Sequence, residues 1–156
     1  MNRPGFSLAL VILLAASLSF PASSLAISRS DMETIWRNNG AVEGVQEFRF
    51  GYVDWIGSSV SVEGKGPIRN NSGPAKILAQ KAAVTDGRRN LLLLLYEIRY
   101  GLPARLESID ISGKVVEPHI DSEMIIGDEY KISITLPLER LLEECVIFSA
   151  TVRQGE

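Results

Sequence analysis

The feature that most constrains this fold is a run of six consecutive apolar residues, 91–96, within a predicted long helix over residues 75–100. An ordinary surface helix has a single apolar stripe, whereas six successive apolar side chains cover every face of a helix. Leaving two leucine side chains in water would forgo roughly 3–6 kcal/mol. The helix must therefore be covered on more than one side.

Two alternatives remain open for what covers the second side. In the first, another element of the chain lies there, such as a short amphipathic helix predicted over residues 31–38, where a capping-box spacing begins at Ser30. In the second, another subunit or a protein partner covers it, and Leu92, Leu93 and Tyr96 are the interface residues. The sequence favours neither.

The long helix has a clear start and an internal glycine. Pro74 suits the first turn of a helix. The predicted inward face consists of Ile77, Val84, Leu91, Leu95 and Ile98. Gly87 costs about 1 kcal/mol relative to alanine in a helix interior. A close approach of the helix to a sheet would explain this glycine.

The segments before and after the long helix have strand patterns. Residues 48–62 are predicted as strand with a bulge or hairpin turn near residues 53–57, and residues 64–67 end it. The later predictions are strands over 106–111 and 114–117 around a tight turn at Ser112-Gly113, strands over 123–126 and 130–136, a short helix over 137–144 and a strand over 145–152. Together these elements predict one α+β domain over residues 27–156.

The first 26 residues have the order of parts of a secretory signal peptide. Arg3 provides a positive start, and residues 8–16 form an apolar core that is too short for a comfortable membrane span. Small residues precede the expected cleavage site after Ala26. The protein is therefore expected to be exported, periplasmic or associated with an outer membrane. Ile27 stands where a lipoprotein needs cysteine, so no N-terminal lipidation is expected.

Composition excludes several classes of function. The chain has 46% hydrophobic and 22% charged residues, as a folded domain does. Its net charge of −3, which becomes −4 once the single arginine of the signal segment is removed, gives no electrostatic reason to expect a nucleic acid. One cysteine, one histidine and no nucleotide-binding motif predict no disulfide framework, metal or cofactor. Cys145 precedes an apolar segment and is predicted to be a buried free thiol, the alternative being an intermolecular disulfide.

The residues that could support catalysis are few. His119 is the only imidazole and lies on a predicted loop, and no nucleophile elbow is present. The sequence therefore predicts a protein that is not an enzyme. The alternative is a small exported hydrolase or ligand carrier, which would need a deep pocket lined by His119 and two carboxylates. The acidic residues available for it are Asp121, Glu123, Asp128 and Glu129.

Four segments occur in an order that resembles the LPP20 family of bacterial envelope proteins, which is related to the N-terminal domain of the flagellar assembly protein FlgT. They are GYVDW at 51–55, VEGKG at 62–66, AAVTDGRRNLL at 82–92 and DEYKISITLPL at 128–138. The similarity extends over about residues 50–140. It departs from the family pattern at Gly87, where alanine is usual, and in lacking the lipidation cysteine.

The resemblance implies an α+β fold in which the long helix lies on an antiparallel sheet. It also implies a non-enzymatic envelope role through binding a protein partner or through self-association, since some family members are linked to flagella or cell-surface structures. The residues for which it implies structural roles are Trp55, Gly64, Gly66, Asp86, Arg89 and Asn90. Of these, the three helix residues would fix the helix against the sheet.

Overall fold

In the computed structural model, residues 27–155 form three helices and seven strands. The predicted export signal, residues 1–26, lies outside the described residues. The helices are α1 (Arg29–Asn38), α2 (Gly73–Tyr100) and α3 (Leu138–Glu144). The strands are β1 (Val45–Phe48), β2 (Gly51–Asp54), β3 (Ser59–Pro67), β4 (Leu106–Lys114), β5 (His119–Ile126), β6 (Glu129–Pro137) and β7 (Val146–Gln154).

The strands form two antiparallel sheets. Five of them make one sheet in the order β1-β2-β3-β6-β5, and β4 pairs with β7 in a separate two-stranded sheet. Helix α2 packs on one face of the five-stranded sheet, and the main core lies between them. The predicted α+β fold, with one long helix on an antiparallel sheet and a short N-terminal helix, is confirmed.

Helix α2 touches strand β3 almost backbone to backbone, because glycines face each other across the contact. A Cβ on Gly64 would overlap the Ala83 carbonyl oxygen and lie 2.7 Å from the Gly87 nitrogen. A Cβ on Gly66 would overlap the Ala79 carbonyl oxygen. The prediction that Gly87 marks a close approach to a sheet is therefore confirmed. The predicted strand end at residues 64–67 is wrong, since β3 continues through Pro67.

This contact corrects part of the predicted inward face of the long helix, of which Leu91, Leu95 and Ile98 are buried as predicted. Ile77 is 55% exposed, and Val84 is only partly buried. The first half of α2 instead turns its small residues to the sheet, at positions 79, 83 and 87. Larger side chains would hold the helix away from β3, and so the most apolar residues of this half are left outside.

Three local predictions also need correction. The tight turn at Ser112-Gly113 is absent, because β4 runs straight through it with a register shift opposite β7. The N-cap of α1 is Ser28, paired with Asp31 in a capping box that starts two residues before the predicted one. His119 begins strand β5 and does not lie on a loop. By contrast, the hairpin turn between β2 and β3, the helix α3 and the last strand lie where predicted.

The glycine contact yields a direct test. We expect Gly64→Ala to lower the free energy of unfolding by at least about 2 kcal/mol, because the new methyl group meets helix backbone atoms that cannot move aside. Urea unfolding followed by circular dichroism measures this loss. Gly73→Ala is the matched control, since nothing lies within 4 Å of its added Cβ. Equal stabilities for the two variants would contradict the close contact.

Candidate functional site

The apolar run of α2 is covered within the chain itself. Leu92 is 6% exposed and Leu93 is 2% exposed. Helix α2 contacts β4 and β7 on the side away from the main core, and a Cβ on Gly113 of β4 would lie 2.9 Å from the Leu92 Cδ2 atom. The two-stranded sheet therefore covers the second side of the helix.

That packing bears on both sequence interpretations of this run. Leu92 and Leu93 are buried within the chain, which argues against the interface role predicted for them. The short N-terminal helix is not the main cover of the run, since α1 is not among the elements that pack closely on α2. Tyr96 is partly buried, with its ring centroid 5.0 Å from that of Tyr100.

The helix residues of the family-like motif hydrogen-bond to strands. Strand β2 pairs with β3 only as far as Ser61, so the rest of that edge of β3 lacks a strand partner. There the Lys65 backbone N–H donates to Asp86 Oδ2 at 3.0 Å, and the Asn90 amide donates to the Glu63 carbonyl at 2.8 Å. Asp86 and Asn90 are one helical turn apart and so serve the same edge.

Arg89, the third helix residue of that motif, reaches the other sheet. Its guanidinium donates to the Ile109 carbonyl of β4 at 3.1 Å. The neighbouring Arg88 pairs with Glu117 at 2.6 Å, just after β4. The motif therefore joins α2 to both sheets through contacts within the chain.

The proposed acidic site near residues 121–129 is spread along an exposed strand edge. His119 is 80% exposed at its side chain, and its Nε2 lies 3.8 Å from Asp121 Oδ1. Glu123 accepts hydrogen bonds from Gln80 and Tyr130. The bond to Glu123 raises the pKa of the Tyr130 phenol. None of these residues lines any of the four main cavities of residues 27–155.

Cys145 is a buried free thiol, as predicted. Burial raises its pKa, so the thiol stays protonated at neutral pH. A buried, protonated thiol is neither a nucleophile nor available for an intermolecular disulfide. This side chain belongs to the core cluster between α2, α3 and the sheet.

Glu97 is the half-buried carboxyl of this chain that most resembles a catalytic acid. Burial raises its pKa, although the backbone N–H groups of Arg49 and Phe50 oppose the shift. Both carboxylate oxygens accept the Arg49 N–H, at 3.2 and 3.1 Å. This N–H belongs to the turn between β1 and β2, so Glu97 holds that turn against the end of α2. Its raised pKa therefore has a structural cause.

The raised pKa of Glu97 makes stability depend on pH. Its stabilising contribution is complete below the unfolded value near 4.5 and is lost as pH rises through the higher folded value. We expect Glu97→Gln, whose amide oxygen still accepts the Arg49 N–H, to remove this loss in urea unfolding between pH 4 and pH 7. Glu47→Gln on exposed strand β1 is the control. A wild-type pH profile unchanged by Glu97→Gln would contradict the assignment.

A surface groove of about 540 Å³ has an extensive apolar lining. It lies between α1, the loop that follows it and the turn between β2 and β3. Its apolar lining consists of Ile27, Met32, Trp36, Val42, Trp55 and Ile56. Ile56 is 80% exposed although its side chain is fully apolar. Exposed apolar side chains grouped in a concave surface are typical of binding sites.

Both tryptophans of the chain line this groove, and each is held by its indole N–H. Trp36 on α1 donates to the Val42 carbonyl at 2.7 Å. Trp55 donates to the Gln46 side chain at 2.8 Å, while its backbone N–H bonds to the Gly44 carbonyl. These bonds fix the two rings, so that the groove has rigid aromatic walls.

The rim of the groove is predominantly acidic. Glu33, Glu43 and Glu139 lie there with a single cation, Arg29. Arg29 is 3.9 Å from Glu33, and both side chains are mostly exposed. The rim therefore has an excess of negative charge beside an apolar floor.

The sequence indicated this groove only in part. The family resemblance singles out Trp55, and Trp36 falls within the amphipathic helix predicted over residues 31–38. The missed signal is Ile56, a large apolar residue placed in a turn before glycine. Sequence reasoning could not bring α1 next to that turn, because no local pattern specifies contacts between distant segments.

No protein-family model matches the sequence, and no curated protein is significantly similar to it. Membership of the LPP20 family thus stays a prediction from the sequence motifs. Among residues 27–155, no helix combines the length and apolar character that crossing a membrane requires. Over the same range, no three His, Cys, Asp or Glu side chains come together as a metal site.

Burial of Leu92 yields a second test of the apolar run. We expect Leu92→Ala to lower the free energy of unfolding by about 2–4 kcal/mol, because it opens a cavity between α2 and β4. The hydrodynamic size of the folded protein should stay unchanged in gel filtration. Leu78→Ala, on the exposed side of the same helix, is the control and should change stability by less than about 0.5 kcal/mol. A Leu92→Ala protein with the stability of the wild type but a different hydrodynamic size would instead support the interface role.

Proposed function

We propose that this is a non-enzymatic, exported envelope protein that binds a protein partner in the groove between α1 and the β2–β3 turn. The observation that carries the proposal is the exposed apolar lining, with two fixed tryptophans in its wall. The signal-like segment over residues 1–26 supports export, and the ordered motifs support a place in the LPP20 family. Periplasmic or outer-membrane association follows from these two features.

The shape and charge of the groove define the partner. A volume of about 540 Å³ accommodates a few apolar side chains of a peptide segment. The acidic rim attracts lysine or arginine residues that flank such a segment. The partner is therefore a protein with an exposed apolar segment that has basic residues on both sides.

The hydrolase or ligand-carrier alternative has no comparable support. It needs His119 and two carboxylates in one deep pocket, and these side chains lie along the exposed edge strand β5. Glu123, the acid nearest to α2 in that group, is occupied by Gln80 and Tyr130. The apolar groove is therefore the better candidate.

Tryptophan fluorescence tests the groove directly, because both tryptophans of the chain lie in it. The probe is a capped peptide of three leucines with two lysines on each side, and its counterpart has glutamates in place of the lysines. We expect the lysine peptide to shift the emission saturably and to bind about tenfold more tightly than the glutamate peptide, since two rim ion pairs supply up to about 1 kcal/mol each. High salt should reduce this preference.

Matched variants separate groove binding from nonspecific adsorption. Ile56→Asp should abolish the emission shift, whereas the same change at Leu78, exposed on α2, should leave it intact. Glu43→Lys should weaken binding of the lysine peptide and strengthen binding of the glutamate peptide. Equal binding of both peptides, or equal effects of the changes at Ile56 and Leu78, would overturn the proposal.

A further inference from the structure

The first described residue makes a contact with a distant part of the chain. The Ile27 backbone N–H donates to Glu143 Oε1 on α3, across 116 positions of sequence. The Ile27 side chain packs against the core cluster and also lines the groove. Ile27 therefore joins α3 to the wall of the groove at the point where the predicted signal peptide ends.

We propose that the mature protein begins at Ile27 and that its new α-ammonium group binds the Glu143 carboxylate, thereby anchoring this wall of the groove. The proposal rests on export, which is part of the proposed function. Hydrolysis of the Ala26–Ile27 peptide bond by a signal peptidase consumes one water molecule. It leaves a carboxylate on Ala26 and an ammonium group on Ile27 at neutral pH, since the proton that the new acid releases balances the one that the new amine takes up.

Processing changes the strength of an existing contact. Before cleavage, Ile27 offers a neutral amide N–H to the carboxylate. After cleavage it offers an ammonium group, which adds a direct attraction between opposite charges to the existing hydrogen bond. The contact is partly buried, so salt screens it less than a surface ion pair.

The electrostatic surroundings favour a cation at this position. Glu139 lines the cavity beside Ile27 one helical turn before Glu143, and the last turn of α3 has no basic residue of its own. The C-terminal end of a helix carries partial negative charge, which an ammonium group complements. From α1 and the following loop, the charged side chains lining the same cavity are Arg29, Glu33 and Glu43.

Two of the other charged side chains of α3 pair with each other. Arg140 bonds to Glu144 at 2.8 Å, and Arg99 from α2 donates to the Leu142 carbonyl. Glu143 makes no ion pair with a side chain in the described chain, and its contact is the Ile27 nitrogen. The new amino terminus is therefore the natural counter-ion of Glu143.

The anchor matters because α1 is held by partly buried contacts. This helix has ten residues and no fully buried side chain, although Met32 and Ile35 pack against the core cluster. Isolated helices of that length are marginal in water. Its described tethers include the Trp36 indole and the Asn39 amide, which donates to the Ile98 carbonyl at 3.0 Å. An ion pair at Ile27, two residues before α1, adds a tether at the opposite end of the helix.

The experiment begins with the full chain expressed with its own first 26 residues in an exporting bacterial host. Intact mass of the purified protein should correspond to a first residue of Ile27. In the labelled protein, NMR titration of Ile27 should give an α-amino pKa above the range of about 7.7–8.0 for a free amino group. The stabilising contribution should be complete below that range and be lost as pH rises through the raised pKa.

Two neighbouring glutamates provide a matched pair of variants. Glu143→Gln should return the α-amino pKa to the ordinary range, and Glu144→Gln, whose carboxylate pairs with Arg140, should leave it raised. If Glu143→Gln does not fold, the pKa of the wild-type amino group decides by itself. The lysine peptide should also bind more weakly to the Glu143→Gln protein than to the wild type.

Three results would overturn the proposal. They are a mature terminus at another residue, an ordinary α-amino pKa in the wild-type protein, and a raised pKa that persists in Glu143→Gln. The groove can still bind the lysine peptide in each of these cases, which separates this failure from failure of the proposed function. Conversely, a docked amino terminus without any peptide binding would contradict only the groove.

Discussion

The backbone contact between α2 and β3 is the constraint on which the other features of this fold depend. For about two turns of the helix no side chain separates the two backbones, because Gly64 and Gly66 face Ala79, Ala83 and Gly87. Because the two backbones are in contact there, the second half of α2 also packs against the sheet. Its leucines then fill the main core on one side and meet the two-stranded sheet on the other.

The close approach also determines how the free edge of β3 is satisfied. Strand β2 does not extend far enough along β3 to pair with residues 63–65. Unpaired backbone groups at such an edge can pair with a strand of another chain. Because α2 lies so near, Asp86 and Asn90 reach these groups with short polar side chains. The glycines and the polar motif thus act together. The glycines let the helix come close to β3, and the polar side chains bond across the short distance that results.

The sequence was sufficient for elements with a strong local pattern and insufficient where a distant partner decides. The alternating strand β6, the short helix α3 and the long helix were predictable because their apolar spacing is local. Ser112-Gly113 has the composition of a turn, yet β4 continues there since Gly113 admits both Val146 of β7 and Leu92 of α2. Leu92 itself was ambiguous for the same reason: only the tertiary fold shows that β4 covers it. The groove was missed because it joins three segments that no local pattern connects.

The candidate groove lies at the edge of the main core. The helices α2 and α3 and the strands around them supply the large core side chains. The groove is instead built from the chain before β1, a turn and one face of α3, and its helix α1 contributes no buried residue. Segments with few buried contacts open at low free energy, and binding surfaces are commonly drawn from them. The proposed binding groove therefore lies at the margin of the core, where the tethers of α1 define its shape.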